Sequence, residues 1–188
     1  MRSSQGTRTR RSSTHRSARE REILDAARQV FAEQGYAHAS VAEIGERVGV
    51  VEGTVYTYFP TKRDLLLRVV ADFYEDLIRD VESGLRAIRG SENRLRFLIA
   101  RHLQLFVRDL GICRVILSEV RPDPNLYGGA VRRLNQRYTA LALEVIDEGI
   151  RAGELRSDIA PTVLRDLIYG GIEHALWRCV HGGERVDV

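Results

Sequence analysis

Apolar residues recur along this chain at the three-and-four spacing of helices. Convincing alternation with period two, the mark of a half-buried strand, is absent. Ile23, Ala26, Ala27, Val30 and Phe31 give one apolar face to a first helix over about residues 19–34, and Gly35 follows where a left-handed residue commonly ends a helix. Ser40 starts a second helix. With Glu43 it has capping-box spacing: the hydroxyl accepts from the Glu43 amide, and the carboxylate returns to the Ser40 amide. Val41, Ile44 and Val48 form the buried face, and Gly49 permits the positive φ of a sharp turn after two helical turns. A third helix over about 52–58 is stopped by Pro60, which pushes the preceding residue out of the α region. Thr61 and Asp64 make a second cap-like pair for the next helix.

Longer helices follow. The fourth begins near Lys62 and fades near 89–90, with Leu66, Val70, Phe73, Leu77 and Val81 in register. The fifth starts at Ser91 and lines up Leu95, Leu98, Ile99, His102 and Phe106. A sixth over about 112–120 is broken by Pro122 and Pro124, and residues 125–129 form a loop. The seventh spans about 130–152 and ends at Gly153, with Leu134, Tyr138, Leu141, Val145 and Ile146 on one face. The eighth runs from Pro161, a residue suited to the first helical position, to about 180.

At 188 residues and 44% hydrophobic, the chain has enough apolar content for a packed core. No apolar run approaches the ~20 residues of a membrane span, and the N-terminus lacks a secretory apolar segment. A soluble, cytoplasmic protein with no membrane partner is expected. The two cysteines, Cys113 and Cys179, lie far apart without metal-ligand spacing. They read as reduced, partly buried small hydrophobes, with a redox pair as the alternative, and no metal or cofactor is expected. The net charge of +3 is unevenly placed: Arg2, Arg8, Arg10, Arg11, Arg16 and Arg19 open the chain without an acid among them, so the remainder is slightly acidic. Residues 1–18 are Ser/Thr-rich with almost no large apolar group, and are expected to be a disordered basic arm. Such an arm either lies on nucleic-acid phosphates or a minor groove, or is a solvated tail.

The segment SVAEIGERVGVVEGTVYTYFPTKRD, residues 40–64, has the layout of a helix-turn-helix. Val55 and Phe59, four apart, are expected to pack inward, which leaves Gly53, Thr54, Tyr56, Thr57 and Tyr58 available to face outward. Tyr58 alone among them also fits a core position. Gly53 allows close backbone approach. Thr57 suits a base edge or a phosphate, and its methyl a thymine methyl. The tyrosine hydroxyls suit phosphates, which position a helix without reading sequence. Lys62 is the only lysine among 29 basic residues and stands at the start of the next helix, where its ammonium and nearby free amides share a phosphate.

Residues 31–67, FAEQGYAHASVAEIGERVGVVEGTVYTYFPTKRDLL, resemble the TetR family of bacterial transcription regulators. The G-x-x-x-G-T-hydrophobic-Y-x-Y-F-P-x-K-x-x-L run carries the likeness, which is close over about 19–67. Beyond that it is limited to length and a helical pattern. The resemblance implies an all-α fold: an N-terminal three-helix helix-turn-helix DNA-binding domain over 19–66 and a C-terminal helical ligand-binding and dimerisation domain over 67–181, with a tail at 182–188. It implies DNA contacts at Ser40, Gly53, Thr54, Tyr56, Thr57, Tyr58 and Lys62. Val51 and Glu52 depart from the family, where a polar residue and a lysine are frequent, and Gly45 stands where alanine is usual.

The same resemblance implies a homodimer acting on a double-stranded operator, a small-molecule effector, and an interface from the last two helices. Dimer contacts are expected at Tyr138, Leu141, Val145, Leu167, Gly170, Gly171 and Ala175, with Tyr169 and Trp177 as anchors. Mid-helix glycines commonly permit close helix contact. Pocket candidates are His102, Phe106, Cys113, Tyr127, Tyr138, His174 and Trp177, each also a candidate core residue. Arg101, Arg114 and Arg121 are candidate anion receptors. The expected function is a ligand-responsive repressor released by a hydrophobic or amphipathic molecule. The alternative is a ligand-independent regulator controlled by a protein partner. No nucleophile–base pair, phosphate loop or paired carboxylate supports an enzyme.

Overall fold

The computed structural model describes the backbone of residues 6–182 and the side chains of residues 18–182. Among the described residues there is no strand. Nor is any helix long and apolar enough to cross a membrane. The chain divides into two compact units at Val69 and Val70.

The first unit contains α1 (Gly6–His38), α2 (Val41–Arg47), α3 (Glu52–Tyr58) and the start of α4 (Lys62–Leu85). Helix α1 is interrupted at Gly35, with φ 76° and ψ 170°, where the helix stop was expected. It begins at Gly6, so the arm expected to be disordered over 1–18 is helical from residue 6 onward. The reason is that a helix already nucleated over its apolar face needs only propagation, which the arginines of the arm favour. The first five residues of the arm lie outside the described residues.

Ile23, Ala27, Val30, Phe31, Ile44 and Val55 are fully buried and tie α1, α2 and α3 together. Isolated helices of seven residues are marginal in water, so α2 and α3 depend on this seam. Ser40 caps α2 by accepting from the Glu43 amide at 3.4 Å. The reciprocal half of the capping box is missing. The Glu43 carboxylate instead accepts from Gln34 Nε2 at 2.7 Å and from Arg47 Nη2 at 2.7 Å, and Arg47 also binds Glu33. The charged Arg47 donor on α2, with the Gln34 amide on α1, outcompetes the single backbone amide. Gly49 has φ 71° at the turn, as its position demands. Phe59 leaves the helix at φ −129°, ψ 106° before Pro60. Thr61 Oγ1 accepts from the Asp64 amide at 3.0 Å and donates to its carboxylate at 2.7 Å, so the cap of α4 is complete.

The second unit comprises the rest of α4 with α5 (Ser91–Arg108), α6 (Leu110–Val115), a π turn (Ile116–Val120), α7 (Gly129–Arg151), α8 (Pro161–Ala175) and α9 (Trp177–Gly182). The single sixth helix expected over 112–120 is thus split: Arg121 donates its amide to Ile116 O at 2.8 Å, a five-residue step. The eighth helix is split too, at Leu176 with φ −94° and ψ 7°. Helix α7 packs on α5 and α8, α8 also meets α5, and α9 meets α6. Leu98, Ile112, Val120, Ala142, Val145 and Ile146 are among its deepest apolar residues, with Val70, Ile78 and Val81 from α4. Cys113 and Cys179 are both buried and form no disulfide.

Gly45 sets how closely α2 meets the following turn. A Cβ there would lie 2.7 Å from Val50 O, a backbone atom that cannot step aside cheaply. Overpacking costs about 1–3 kcal/mol, and the gain in helix propensity offsets about 1 kcal/mol of it. Gly45→Ala should therefore lose roughly 1 kcal/mol net, read as a lower urea midpoint at unchanged m-value. A stabilised variant would show that the turn relaxes freely.

Candidate functional site

Helix α3 divides its residues as an exposed reading element must. Val55 is fully buried and Phe59 is 6% exposed, whereas Val51 is 74% and Tyr56 40% exposed. Glu52, Gly53 and Thr57 are exposed, and Thr54 and Tyr58 are half-buried. Of the DNA contacts expected from the sequence, Ser40, Gly53, Tyr56 and Thr57 present themselves to solvent. Thr57 Oγ1 donates to Gly53 O at 3.1 Å, which leaves its methyl and acceptor lone pair outward. Desolvation, and then the Glu52 carboxylate, raise the Tyr56 hydroxyl above its ordinary pKa. Lys62 is held at the base of this face: Nζ donates to Ala37 O at 3.3 Å and lies 4.8 Å over the Tyr36 ring. That double anchor ties the start of α4 to the end of α1, a role that sequence reading did not assign.

The second unit holds a partly open cavity among its helices. Its lining is mostly apolar, from Phe73, Leu77, Leu105, Phe106, Cys113 and Ile116, with an aromatic cluster of His102, Tyr138 and Tyr169. His102 meets Tyr169 edge-on at 4.8 Å and Phe106 edge-on at 5.5 Å between ring centroids. One end is polar. Arg121 Nη1 donates to both oxygens of Glu173 at 2.8 and 2.9 Å, and Nη2 to Asn135 Oδ1 at 3.1 Å. Tyr74 donates its hydroxyl to the same Asn135 oxygen at 3.0 Å, and Asn135 Nδ2 donates to the Tyr127 hydroxyl at 2.7 Å. The π turn directly precedes Arg121 and contributes Ile116 and Leu117 to the wall. Insertions of this type recur at functional sites. Burial works against the Arg121 charge, but Tyr74 and Glu173 outweigh it and the pKa is raised.

Of the pocket candidates, His102, Phe106, Cys113 and Tyr138 line this cavity. Tyr127 sits behind Asn135 as its hydrogen-bond partner. His174 and Trp177 are directed elsewhere: His174 is exposed, and Trp177 is 58% exposed and stacked on His181 at 3.7 Å. The split at Leu176 re-aims that end of the helix. Arg101 is engaged by Asp80, and Arg114 Nε donates to Val180 O at 2.7 Å, so only Arg121 reaches the cavity.

The expected dimer contacts divide as well. Tyr138, Leu141 and Val145 are buried in the chain's own core, because that face of α7 is covered by α5 and α8. Tyr169, expected as an interface anchor, is buried at the cavity. Leu167, Gly170, Gly171 and Ala175 are exposed, with Val163 on the same helix. Sequence reading missed Tyr74, Asn135 and Glu173. The available signal was Asn135, a polar residue one turn before Tyr138 on an otherwise apolar helical face.

His102 is held neutral: desolvation first, and then Arg121, lower its pKa to about 4. An unfolded histidine titrates near 6.5, so unfolding takes up a proton between those values. The stability that neutral His102 confers is complete above about pH 6.5 and is lost as pH falls towards 4, on the order of 3 kcal/mol in all. His102→Phe should flatten this loss relative to the native chain in urea titrations across that range. Equal slopes would mean that the imidazole is protonated inside the fold.

Comparison with known proteins agrees with this geometry. Residues 23–69 match the family model of bacterial regulatory proteins of the TetR family, and residues 89–177 match the tetracycline repressor-like C-terminal domain. The transcriptional repressor AcnR of Corynebacterium diphtheriae is 30% identical over 176 residues, covering 92% of this chain and 87% of its own. The fatty acid metabolism regulator protein of Bacillus subtilis is 26% identical over 167 residues, covering 89% and 86%. The crystal structure of FadR from Bacillus subtilis in complex with stearoyl-CoA superposes with a TM-score of 0.79 at 26% identity, covering 88% of this chain and 89% of that one. With a DNA-reader layout in the first unit, a cavity in the second, and relatives that are transcription regulators and not enzymes, the chain belongs to the TetR family of bacterial regulatory proteins.

Proposed function

We propose that this regulator is a ligand-responsive repressor that binds a two-fold-symmetric operator as a homodimer and is released by a hydrophobic or amphipathic small molecule. The observation that carries the reading is the division of α3, with Val55 fully buried and Tyr56 and Thr57 exposed one turn before a proline stop. In the major groove, Gly53 and Thr57 meet base edges, Tyr56 and Lys62 meet phosphates, and Ser40 and Tyr58 flank the contact. Glu52 at the helix start is tolerated near DNA where it accepts from a cytosine amino group.

Dimerisation rests on α8. Its exposed Val163, Leu167, Gly170, Gly171 and Ala175 form an apolar strip with small residues at its centre, which suits close helix packing. The effector reading rests on the cavity and on the stearoyl-CoA complex of the relative. Release follows when the ligand favours a dimer whose paired α3 helices no longer match major grooves about 34–36 Å apart. A coupling of about 1–3 kcal/mol is enough for a usable response.

Tyr56→Ala and Lys62→Ala should keep the helical circular dichroism signal and bind a mixed-sequence duplex at low salt about tenfold more weakly, a loss of about 1.4 kcal/mol. Leu167→Arg should sediment as a monomer. Native DNA affinity in both the Tyr56 and the Lys62 variants would reject this docking face, and a dimeric Leu167→Arg would move the interface off α8.

A further inference from the structure

Two hydrogen-bonding groups in the cavity are unused by the protein itself. His102 and Tyr169 are 6% and 7% exposed, and both rings line the cavity. The imidazole Nδ1 is engaged with the Tyr138 hydroxyl at 3.0 Å, and Nε2 has no partner. The Tyr169 hydroxyl has no partner at hydrogen-bond geometry either, although the neighbouring Tyr138 hydroxyl is close enough to act on it as a hydrogen-bonding group. Buried polar groups are normally satisfied, so two orphans facing one cavity point to an occupant that satisfies them.

The polarity of the orphans follows from the ring they surround. An imidazole nitrogen is a stronger acceptor than a phenol oxygen, so Tyr138 donates to Nδ1. The neutral ring then carries its proton on Nε2, and both unused groups are donors. Charge is already balanced, since Glu173 answers Arg121 through two hydrogen bonds and His102 is neutral. Ring edges and faces from His102, Tyr138, Tyr169 and Phe106 favour a flat partner.

We infer that the cavity takes a small uncharged molecule with an aromatic body and a carbonyl-type acceptor, held by the Tyr169 hydroxyl and His102 Nε2. This rests on the reading of the cavity as the effector site. The chemistry differs from that of stearoyl-CoA, the ligand of the solved relative.

Calorimetric titration of the full chain tests it with four probes: acetophenone, cumene (the same shape without the acceptor), benzoate (the same shape with a charge) and stearoyl-CoA. Acetophenone should bind at least tenfold more tightly than cumene and than benzoate. Tyr169→Phe should bring the acetophenone-to-cumene ratio close to one and raise the Tm of the unliganded protein, because an unsatisfied hydroxyl is removed without a change of shape. His102→Phe, an independent second variant, should lower the ratio as well. Cumene or benzoate matching acetophenone, a ratio unmoved by either variant, or no binding of acetophenone would overturn the inference. Duplex binding measured beside the titration separates the two readings. Selective acetophenone binding that leaves DNA bound keeps the cavity chemistry and rejects the effector role. Release by stearoyl-CoA with no acetophenone binding keeps the effector role and rejects the chemistry.

Discussion

The Arg121 guanidinium is a charge set into an apolar interior, and the second unit is arranged around answering it. Taking an ion out of water costs several kcal/mol, and an unanswered one is not tolerated. Glu173 on α8 supplies the counter-charge and Asn135 on α7 supplies an oxygen. Asn135 is in turn fixed by Tyr74 of α4 and Tyr127 of the loop before α7. One side chain thus links the π turn to three helices at one end of the cavity. The pair remains about a quarter exposed, at 28% and 26%, so its strength lies between that of a surface contact and a fully buried one.

The first unit solves a different problem. A helix that reads DNA must keep its outer face uncommitted, yet seven residues cannot hold themselves helical. The chain meets both demands by loading stability onto neighbours. Val55 and Phe59 dock α3, Ser40 and Thr61 cap the flanking helices, and Lys62 is braced on Ala37 and Tyr36. The outward residues Gly53, Tyr56 and Thr57 take no part in that docking. This separation lets a side chain on α3 change without loss of the fold, and it makes the mutational tests interpretable.

The local features were legible in the sequence because they are short-range. The Gly35 and Gly49 positions, the Ser40 and Thr61 caps, and the inward placement of Val55 and Phe59 all follow from neighbours within a few residues. The cavity was not legible to the same degree. Tyr74, Arg121, Asn135 and Glu173 come from distant parts of the chain, and no periodicity relates them. Apolar periodicity also cannot say which surface a stripe meets. Tyr138, Leu141, Val145 and Tyr169 were assigned to a partner subunit and instead meet the chain's own helices. A one-residue insertion such as the π turn is invisible in a nine-residue pattern, and it leads into the one arginine of three candidates that reaches the cavity.

The central claim is that α3 reads DNA sequence in a symmetric assembly. The direct measurement is selection from a pool of random duplexes by the purified full chain at low salt, followed by sequencing of what it retains. The account predicts enrichment of a two-fold-symmetric site with half-sites one helical turn apart, or a multiple of it. Recovery of an unenriched pool would contradict it, since a helix docked by Val55 and Phe59 with its outer face free would then not be acting as a sequence reader.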